Sequence, residues 1–594
     1  VTDRRTVALL DFQRADVDFG GDFAGSRELQ FAASDLRERG FDVLLLRQIV
    51  GVLGEHWTAA AGDRLLARLG GVGAVVIKVH VDDGWIAQLR AAGLHTVFLA
   101  GHLVAPPPGV YDVVVAADAR LPVVEAVEAW ANGAAGPDPD PGPEAPPRRP
   151  GDDPFADPER FAPAVEFLDE DDVLRPYARF SLVTNRGCPY SADPADNPAF
   201  GGVDLSGPLR RLGCAFCEMG GDYRRLAVDD YLGFLTGQVR WYAERAPGAE
   251  LLLGDEAGAE ILLPLVDRLV HDGVPPARIL VKARAAGLLE RADRFRRTLT
   301  RARAAGHAVV LFLVGLENFS DAELARFNKG ITAADLDRCL ALLGDLEGEF
   351  GEAFSIRRYT GHGFVLWTPW TTLEDLDVNL AAFDQHDLRS LSSKAPFSRL
   401  RLHAWAPLHR LAARDGLLDP DGAGPTRLRR HLGYATDEVS WRFADPRAAL
   451  AYELLSAGIE ERGAQAAFGL LAEAVARVRE LEPVPSEPEA LRALMAREAR
   501  RFATAPVAPG LPSGPELSEA LRLLAADGHL GEYRFVRAEL AEDGPILRFR
   551  AGDREAVLVL EGPRARALDP GDGPFASALT SAVAAIRRPA APPR

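Results

Sequence analysis

Lysine is almost missing from this chain: of 68 basic residues only Lys78, Lys282, Lys329 and Lys394 are lysines, and all the others are arginine. Arginine, alanine, glycine and proline enrichment of this kind follows from a GC-rich coding sequence, so each retained lysine is a candidate for a specific task. Cysteine is scarce too. Four cysteines in 594 residues are too few and too clustered for a disulfide framework. No run of eighteen uncharged apolar residues occurs, so no membrane span is expected. The first residues, Val1 to Arg5, lack the charged-then-apolar pattern of a secretory signal, and a cytoplasmic protein is expected. Basic residues are outnumbered, with a formal charge of -18, which disfavours nucleic acid as partner and favours a small-molecule or peptide substrate. What is present, 47% apolar and 26% charged residues, describes a large globular protein of about three or four domains and excludes a disordered tail or a fibre.

Residues 1–134 alternate short apolar runs (Val7 to Asp11, Val43 to Leu46, Ala74 to Val79, Thr96 to Ala100, Val113 to Ala116) with amphipathic stretches such as Ser26 to Arg39 and Leu121 to Ala131. That alternation predicts a parallel sheet covered on both faces, a flavodoxin-like α/β domain. In the next stretch, eight of the eighteen residues from Pro137 to Pro154 are proline, so 135–160 is read as a linker. A second α/β series occupies 161–425, with strands expected at Phe180 to Thr184, Glu250 to Leu253, Ile279 to Val281, Ala308 to Val314, Gly363 to Trp367 and Leu400 to His403. Six βα units predict a partial (β/α)6 barrel with its chemistry at the C-terminal strand ends. Residues 426–594 change pattern again, to three helices followed by alternating strands, a smaller α+β region.

Three of the four cysteines, Cys188, Cys214 and Cys217, fall in the loop after the first strand of the second series. Two thiolates at the spacing of Cys214 and Cys217 face one metal from a single turn. Three thiolates without an obvious fourth suit a [4Fe-4S] cluster with one open iron, and on spacing alone a zinc site completed by a distant histidine stands beside it. Cys339, in a helical pattern between Leu336 and Leu340, reads as a small buried hydrophobe.

The run Thr184-Asn185-Arg186-Gly187-Cys188-Pro189-Tyr190, leaving a strand, and the later Cys214-Ala215-Phe216-Cys217 resemble the radical S-adenosylmethionine (radical SAM) enzymes. That family has three residues between its first two cysteines, and here twenty-five intervene. A segment such as Ser191 to Arg211 is expected to loop outward and return Cys214 beside Cys188, because closure cost grows only logarithmically with length. Gly254-Asp255-Glu256 resembles the family's element for the methionine amino group, and Gly315-Leu316-Glu317 with Asn328-Lys329-Gly330 resembles its strand-four signature. The resemblance implies a [4Fe-4S] cluster on Cys188, Cys214 and Cys217, S-adenosylmethionine held near Asp255, Glu256 and Glu317, and a one-electron donor such as flavodoxin or ferredoxin. Lys282 and Arg284 alternate with apolar residues at the end of a strand, so both are expected to face a carboxylate or ribose hydroxyl. Trp367 to Trp370, His403 and Trp405 are candidates for the substrate face, with core packing an equal reading for Trp367.

The first domain resembles the cobalamin-binding domain of many radical SAM proteins, through Leu99-Ala100-Gly101-His102, with Gly101 approaching the corrin, and Tyr111 to Ala117. The segment Asp11 to Asp16 carries no histidine, so a histidine-ligated cobalt at that position is excluded. The resemblance therefore implies cobalamin as a further cofactor and methyl transfer as one outcome. The rivals are a cobalamin-independent rearrangement, oxidation or thiolation and, in another class, a zinc-stabilised α/β binding protein.

Overall fold

The structure, a computed structural model, describes residues 5–15, 26–52, 59–78, 82–100, 109–116, 120–133, 162–169, 172–184, 188–206, 211–217, 228–256, 258–419, 438–463 and 466–503, and the strands between 529 and 567. The first unit runs β1 (Thr6–Ala15), α1 (Arg27–Glu38), β2 (Asp42–Val52), α2 (Ala59–Arg68), β3 (Ala74–Ile77), α3 (Asp83–Ala91), β4 (His95–Ala100), β5 (Val113–Ala116) and α4 (Arg120–Ala131). Its strands are parallel in the order β5-β4-β3-β1-β2, the flavodoxin-like arrangement. Both faces are apolar because helices cover both. Leu9, Val76 and Val97 pack with α1 and α4, while Leu10, Val75 and Phe98 pack with Leu65 of α2 and Trp85 and Ile86 of α3. The helices begin where the sequence offers a cap: the Ser26 side chain accepts from the Leu29 amide and Asp82 from the Trp85 amide.

The sheet reaches past the boundary drawn at residue 160. Two short strands, β6 (Glu166–Leu168) and β7 (Leu174–Pro176), extend the edge beyond β2, β6 parallel to it and β7 antiparallel to β6. Three-residue strands with largely exposed side chains carry no readable hydrophobic period. β1 also continues to Ala15, so its C-terminal loop starts four residues later than the sequence pattern suggests. Asp11 lies inside the strand, buried, its carboxylate accepting from the Ser26 amide and the Tyr177 hydroxyl. The Pro-rich linker and Gly101 lie outside the described residues.

The second unit comprises β8 (Arg179–Ser181), α5 (Val228–Arg245), β9 (Glu250–Leu253), α6 (Gly258–His271), β10 (Arg278–Arg284), α7 (Ala285–Glu290), α8 (Ala292–Ala304), β11 (Ala308–Glu317), α9 (Asp321–Arg326), α10 (Ala333–Phe350), β12 (Phe354–Ser355), β13 (Gly363–Phe364), α11 (Leu373–Gln385) and α12 (Pro407–Arg414). Strands β8 to β12 pair in chain order and in parallel, so the connectivity is singly wound, unlike the first sheet. β12 and β13 both pair with β11, one near its start and one near its end, and share a single position. The strand expected at Leu400 to His403 does not form. In its place a parallel bridge joins Trp367 to Arg399, with Leu400 N donating to Trp367 O at 2.7 Å, while His403 bridges antiparallel to Glu438. The alternation that suggested a strand is real, with Leu400 and Leu402 buried and Arg401 exposed, but isolated bridges rather than a continuous ladder pair the segment.

Leu251, Leu253, Ile279, Val281, Val309 and Leu311 face the helices. The opposite face holds the small cluster Leu252, Leu280, Val310, Phe312 and Tyr359. Near the strand starts this face is plugged by charge: Glu250 accepts from Arg179 Nε at 2.7 Å and Arg358 Nε at 2.6 Å, and the Tyr359 hydroxyl touches both Arg179 and Glu250. Burial opposes ionisation of Glu250, but Arg179, Tyr359 and Arg358 outweigh it and hold its carboxyl below the usual range. The open end is therefore the C-terminal one.

His362 belongs to the same core. Its Nδ1 accepts from the Val314 amide at 2.9 Å and its Nε2 lies 2.7 Å from the Ile356 carbonyl, the pattern of a neutral ring donating through Nε2. Burial pushes its pKa down to about 4. The unfolded chain takes up the proton first, at pH ~6.5, so stability present above that pH is lost as pH falls toward 4, on the order of 2 kcal/mol by pH ~5 from this group alone. Urea unfolding near pH 7 and near pH 5 should show a smaller loss in His362→Gln than in the parent, and equal losses would contradict the assignment.

The last region contains α13 (Pro446–Arg462), α14 (Ala467–Glu480) and α15 (Pro488–Ala503), which join the main core through Leu454, Leu470 and Met495. A five-stranded antiparallel sheet follows: β14 (His529–Leu530), β15 (Tyr533–Ala541), β16 (Gly544–Ala551), β17 (Arg554–Glu561) and β18 (Arg564–Ala567). Among the described residues no helix is long and apolar enough to cross a membrane.

Candidate active site

Cys188 follows β8, Gly254-Asp255-Glu256 follows β9, Lys282 and Arg284 end β10, and Glu317 ends β11. Parallel pairing puts these four strand ends on one edge, where the chain leaves the sheet and side chains are freed from packing. Lys282 and Arg284 are both half-buried with Ala283 buried between them, as the alternation predicts.

The long excursion between Cys188 and Cys214 comes back to the same edge. Gly213 N donates to Ala192 O at 2.8 Å, pinching start against finish, and Ala215 N donates to Phe327 O at 2.9 Å. Cys217 N donates to Cys214 O at 3.1 Å, so the two cysteines share one turn, and Leu408 N at the start of α12 donates to Ala215 O. Asn328, in a left-handed conformation at φ 51, donates through Nδ2 to both Ala192 O and Gly213 O.

Behind this turn lies an ion pair. Lys329 Nζ is 2.6 Å from Glu317 Oε1, with side chains only 7% and 10% exposed. Burial pulls the Lys329 pKa down, but Glu317 and then Cys214 outweigh it, and the net shift is upward. The Cys214 thiol is pushed up, by burial first and by Glu317 and Cys188, against the opposing pull of Lys329 and Arg284. Cys188, Cys214, Lys329, Glu317 and Arg284 therefore form one electrostatic neighbourhood. Gly315 explains itself here: a Cβ at that position would stand 2.6 Å from Lys329 Nζ and 2.7 Å from Glu317 Oε1. Gly330 is required twice over, by φ +67 and by the Tyr190 hydroxyl, which a Cβ would meet at 2.5 Å.

Lys282 Nζ lies 2.5 Å from Glu256 Oε1, each about a quarter exposed. Arg284 stacks over the Tyr190 ring at 3.5 Å and donates to Lys329 O at 3.1 Å. A groove of roughly 540 Å³, solvent included, opens beside them, lined by Pro189, Glu256, Arg284, Gly287, Glu290 and Arg291 among others. Asp255 behaves differently from its neighbour: it is fully buried and accepts from the Tyr231 hydroxyl at 2.8 Å. Like Lys282 and Lys329, Lys78 reaches a carboxylate, pairing with Glu28 at 2.6 Å in the first unit.

All three site cysteines are reduced and of intermediate exposure, outside any disulfide. Among the described residues no three of His, Cys, Asp and Glu stand in a ready-made metal-binding arrangement. In kind and number the donors still fit a cuboidal iron-sulfur cluster: three thiols in the one long connection between β8 and α5, at one edge, with Cys188 near enough to bear on Cys214. Cys339 is fully buried in α10, its thiol pushed up to about 12 by burial, the small hydrophobe expected from its sequence setting.

The aromatic candidates divide. Trp367 is core, its Nε1 bonded to Pro396 O at 2.6 Å and its ring against Phe443 and Tyr452. Trp370 is buried too, donating to Asp415 at 2.8 Å. Trp405 and His403 remain half-exposed, stacked at 5.1 Å, with the Arg211 guanidinium 4.2 Å from the Trp405 ring. One carboxylate has no sequence signal. Glu323 lies in the first turn of α9, where acids are usually solvated, yet it is completely buried against Thr368 and Arg326, and burial pushes its pKa up to about 7.

No protein-family model matches the chain, and no curated protein matches it. Among solved structures, the chain is similar to three of a cobalamin-dependent S-adenosylmethionine radical enzyme, OxsB. They are the apo form (14% identity, TM-score 0.45), the form with aqua-cobalamin (14%, 0.44) and the form with aqua-cobalamin and S-adenosylmethionine (13%, 0.45). Each likeness covers 88% of this chain and 75% of the other. At these values it describes shape and supplies no argument about function, which comes from the chain's own residues.

Proposed function

We propose that this chain is a radical SAM enzyme whose Cys188, Cys214 and Cys217 hold a [4Fe-4S] cluster. The observation that carries the reading is the return of the Cys214 turn to the strand edge of Cys188, beside Glu256, Lys282, Arg284 and Glu317. When bound, the cluster supplies the single electron for reductive cleavage of S-adenosylmethionine, and the resulting 5'-deoxyadenosyl radical abstracts a substrate hydrogen. The chain's own contribution is position. In this reading Glu256 accepts from the methionine ammonium, and Lys282 and Arg284 donate to its carboxylate or to the ribose, each exchanging an internal partner for the ligand. Asp255 holds the loop under Glu256 through Tyr231 and does not contact the ligand. Glu317 supports Lys329 behind the Cys214 turn.

The first unit, with its flavodoxin-like strand order, is read as a cobalamin-binding domain whose corrin would sit at the strand C-termini. Methyl transfer to a small-molecule or peptide substrate is the reaction this pairing of domains favours, with flavodoxin or ferredoxin as electron donor. Retention of hydroxocobalamin through gel filtration checks the corrin separately from the cluster.

Anaerobically reconstituted protein with a strong reductant should convert S-adenosylmethionine to methionine and 5'-deoxyadenosine. Lys282→Ala should keep the cluster and bind S-adenosylmethionine about tenfold more weakly, on the order of 1.5 kcal/mol for a charge-assisted contact. Unchanged affinity would return Lys282 to a purely structural pair with Glu256.

A further inference from the structure

The excursion between the first two cysteines is a loop that something must close. We propose that Asn328 is the positioning residue that closes it, latching both ends of the excursion so that Cys214 is presented beside Cys188. This inference rests on the radical SAM reading for the purpose of the latch and on geometry alone for its existence.

Asn328 bonds through every polar group that could hold such a loop. Its Nδ2 donates to Ala192 O at 3.1 Å and to Gly213 O at 2.8 Å, one bond to each end of the excursion. Its Oδ1 accepts from Asn197 Nδ2 at 3.0 Å, inside the excursion, and its carbonyl accepts from the Tyr190 hydroxyl at 2.9 Å, just after Cys188. Asn197 Nδ2 also donates to Ala325 O at 2.7 Å. Directly across the pinch, Gly213 N donates to Ala192 O, and Ala215 N to Phe327 O, so the residue before Asn328 holds the residue after Cys214.

The left-handed backbone at φ 51 is what turns the Asn328 side chain back toward the pinch, and asparagine tolerates that region better than other side chains. Closing twenty-odd residues costs chain entropy that short loops do not meet, and two donors from one rigid position offset it at the place where the cysteine re-emerges. A solvated asparagine would need none of these partners, and Asn328 is only 7% exposed.

Two variants test the latch. Asn328→Gly keeps the positive φ and removes the side chain, and Asn328→Asp keeps the shape and removes the donors. In apo protein, alkylation by iodoacetamide followed by mass spectrometry should show Cys214 reacting about tenfold faster in both variants, the factor expected from losing two hydrogen bonds that close one loop. Cys188 and buried Cys339 should keep their parental rates, a selectivity that general destabilisation would not give. After anaerobic reconstitution, iron and sulfide per chain should fall several-fold in both variants. Parental alkylation of Cys214 in both variants, or equal acceleration of Cys214 and Cys339, would overturn the latch. Failure of the parent protein itself to take up iron would instead sink the radical SAM reading and leave the alkylation result to decide the latch.

Discussion

Replacing any one of Cys188, Cys214 or Cys217 by alanine should abolish the broad visible absorbance of the reconstituted protein and drop bound iron to below about a tenth of the parental value. Two thiolates do not hold a cuboidal cluster that keeps one iron open. Cys339→Ala should leave both signals intact, because that thiol is sealed in α10 with its pKa pushed to about 12. The contrast separates ligands from a general effect of removing sulfur. Loss of the signal in Cys339→Ala, or its survival in any of the other three, would mean that the ligand set is wrong.

The second large effect is on stability. Lys329 and Glu317 are both buried, and removing the lysine strands a carboxylate in a poorly solvated place beside Cys214. Lys329→Met should therefore cost about 3 to 5 kcal/mol, the usual consequence of breaking a buried pair from one side. Lys329→Met with Glu317→Gln should recover a good part of that loss, since the stranded charge is gone. Urea unfolding of the two variants measures this. A single substitution costing less than about 1 kcal/mol, the range of exposed pairs, would show that the pair is solvated.

Where the sequence carried a period, the structure follows it closely. The helix expected from Ser26 to Arg39 is observed from Arg27 to Glu38 with Ser26 as its cap, and the strand Val113 to Ala116 is observed at those residues. Amphipathic spacing and continuous apolar runs report burial directly, which is why the layers were legible. The elements that escaped are those whose pairing is set from elsewhere. β6 and β7 are three residues each, exposed or half-buried and recruited to a sheet edge, while at Leu400 to His403 the alternation suggested a strand where single bonds to Trp367 hold the chain instead.

At the site, residue types were readable and partnerships were not. The alternation at the end of β10 correctly put Lys282 and Arg284 on one face. Asp255 and Glu256 are adjacent acids with no difference in sequence, yet one is sealed under Tyr231 and the other faces Lys282. Asn328 was visible as part of a short motif, but its bonds run to backbone carbonyls more than a hundred residues earlier, and backbone acceptors leave no trace in residue identity. Glu323 was invisible for the same kind of reason, because only the packing of α9 against Thr368 removes it from water.

The central claim is that three thiolates at one strand edge hold an iron-sulfur cluster, and metal and acid-labile sulfide analysis of the anaerobically prepared parent protein tests it most directly. About four irons and about four sulfides per chain are expected. One zinc per chain with neither iron nor sulfide would contradict the account and leave the zinc-stabilised binding protein in its place.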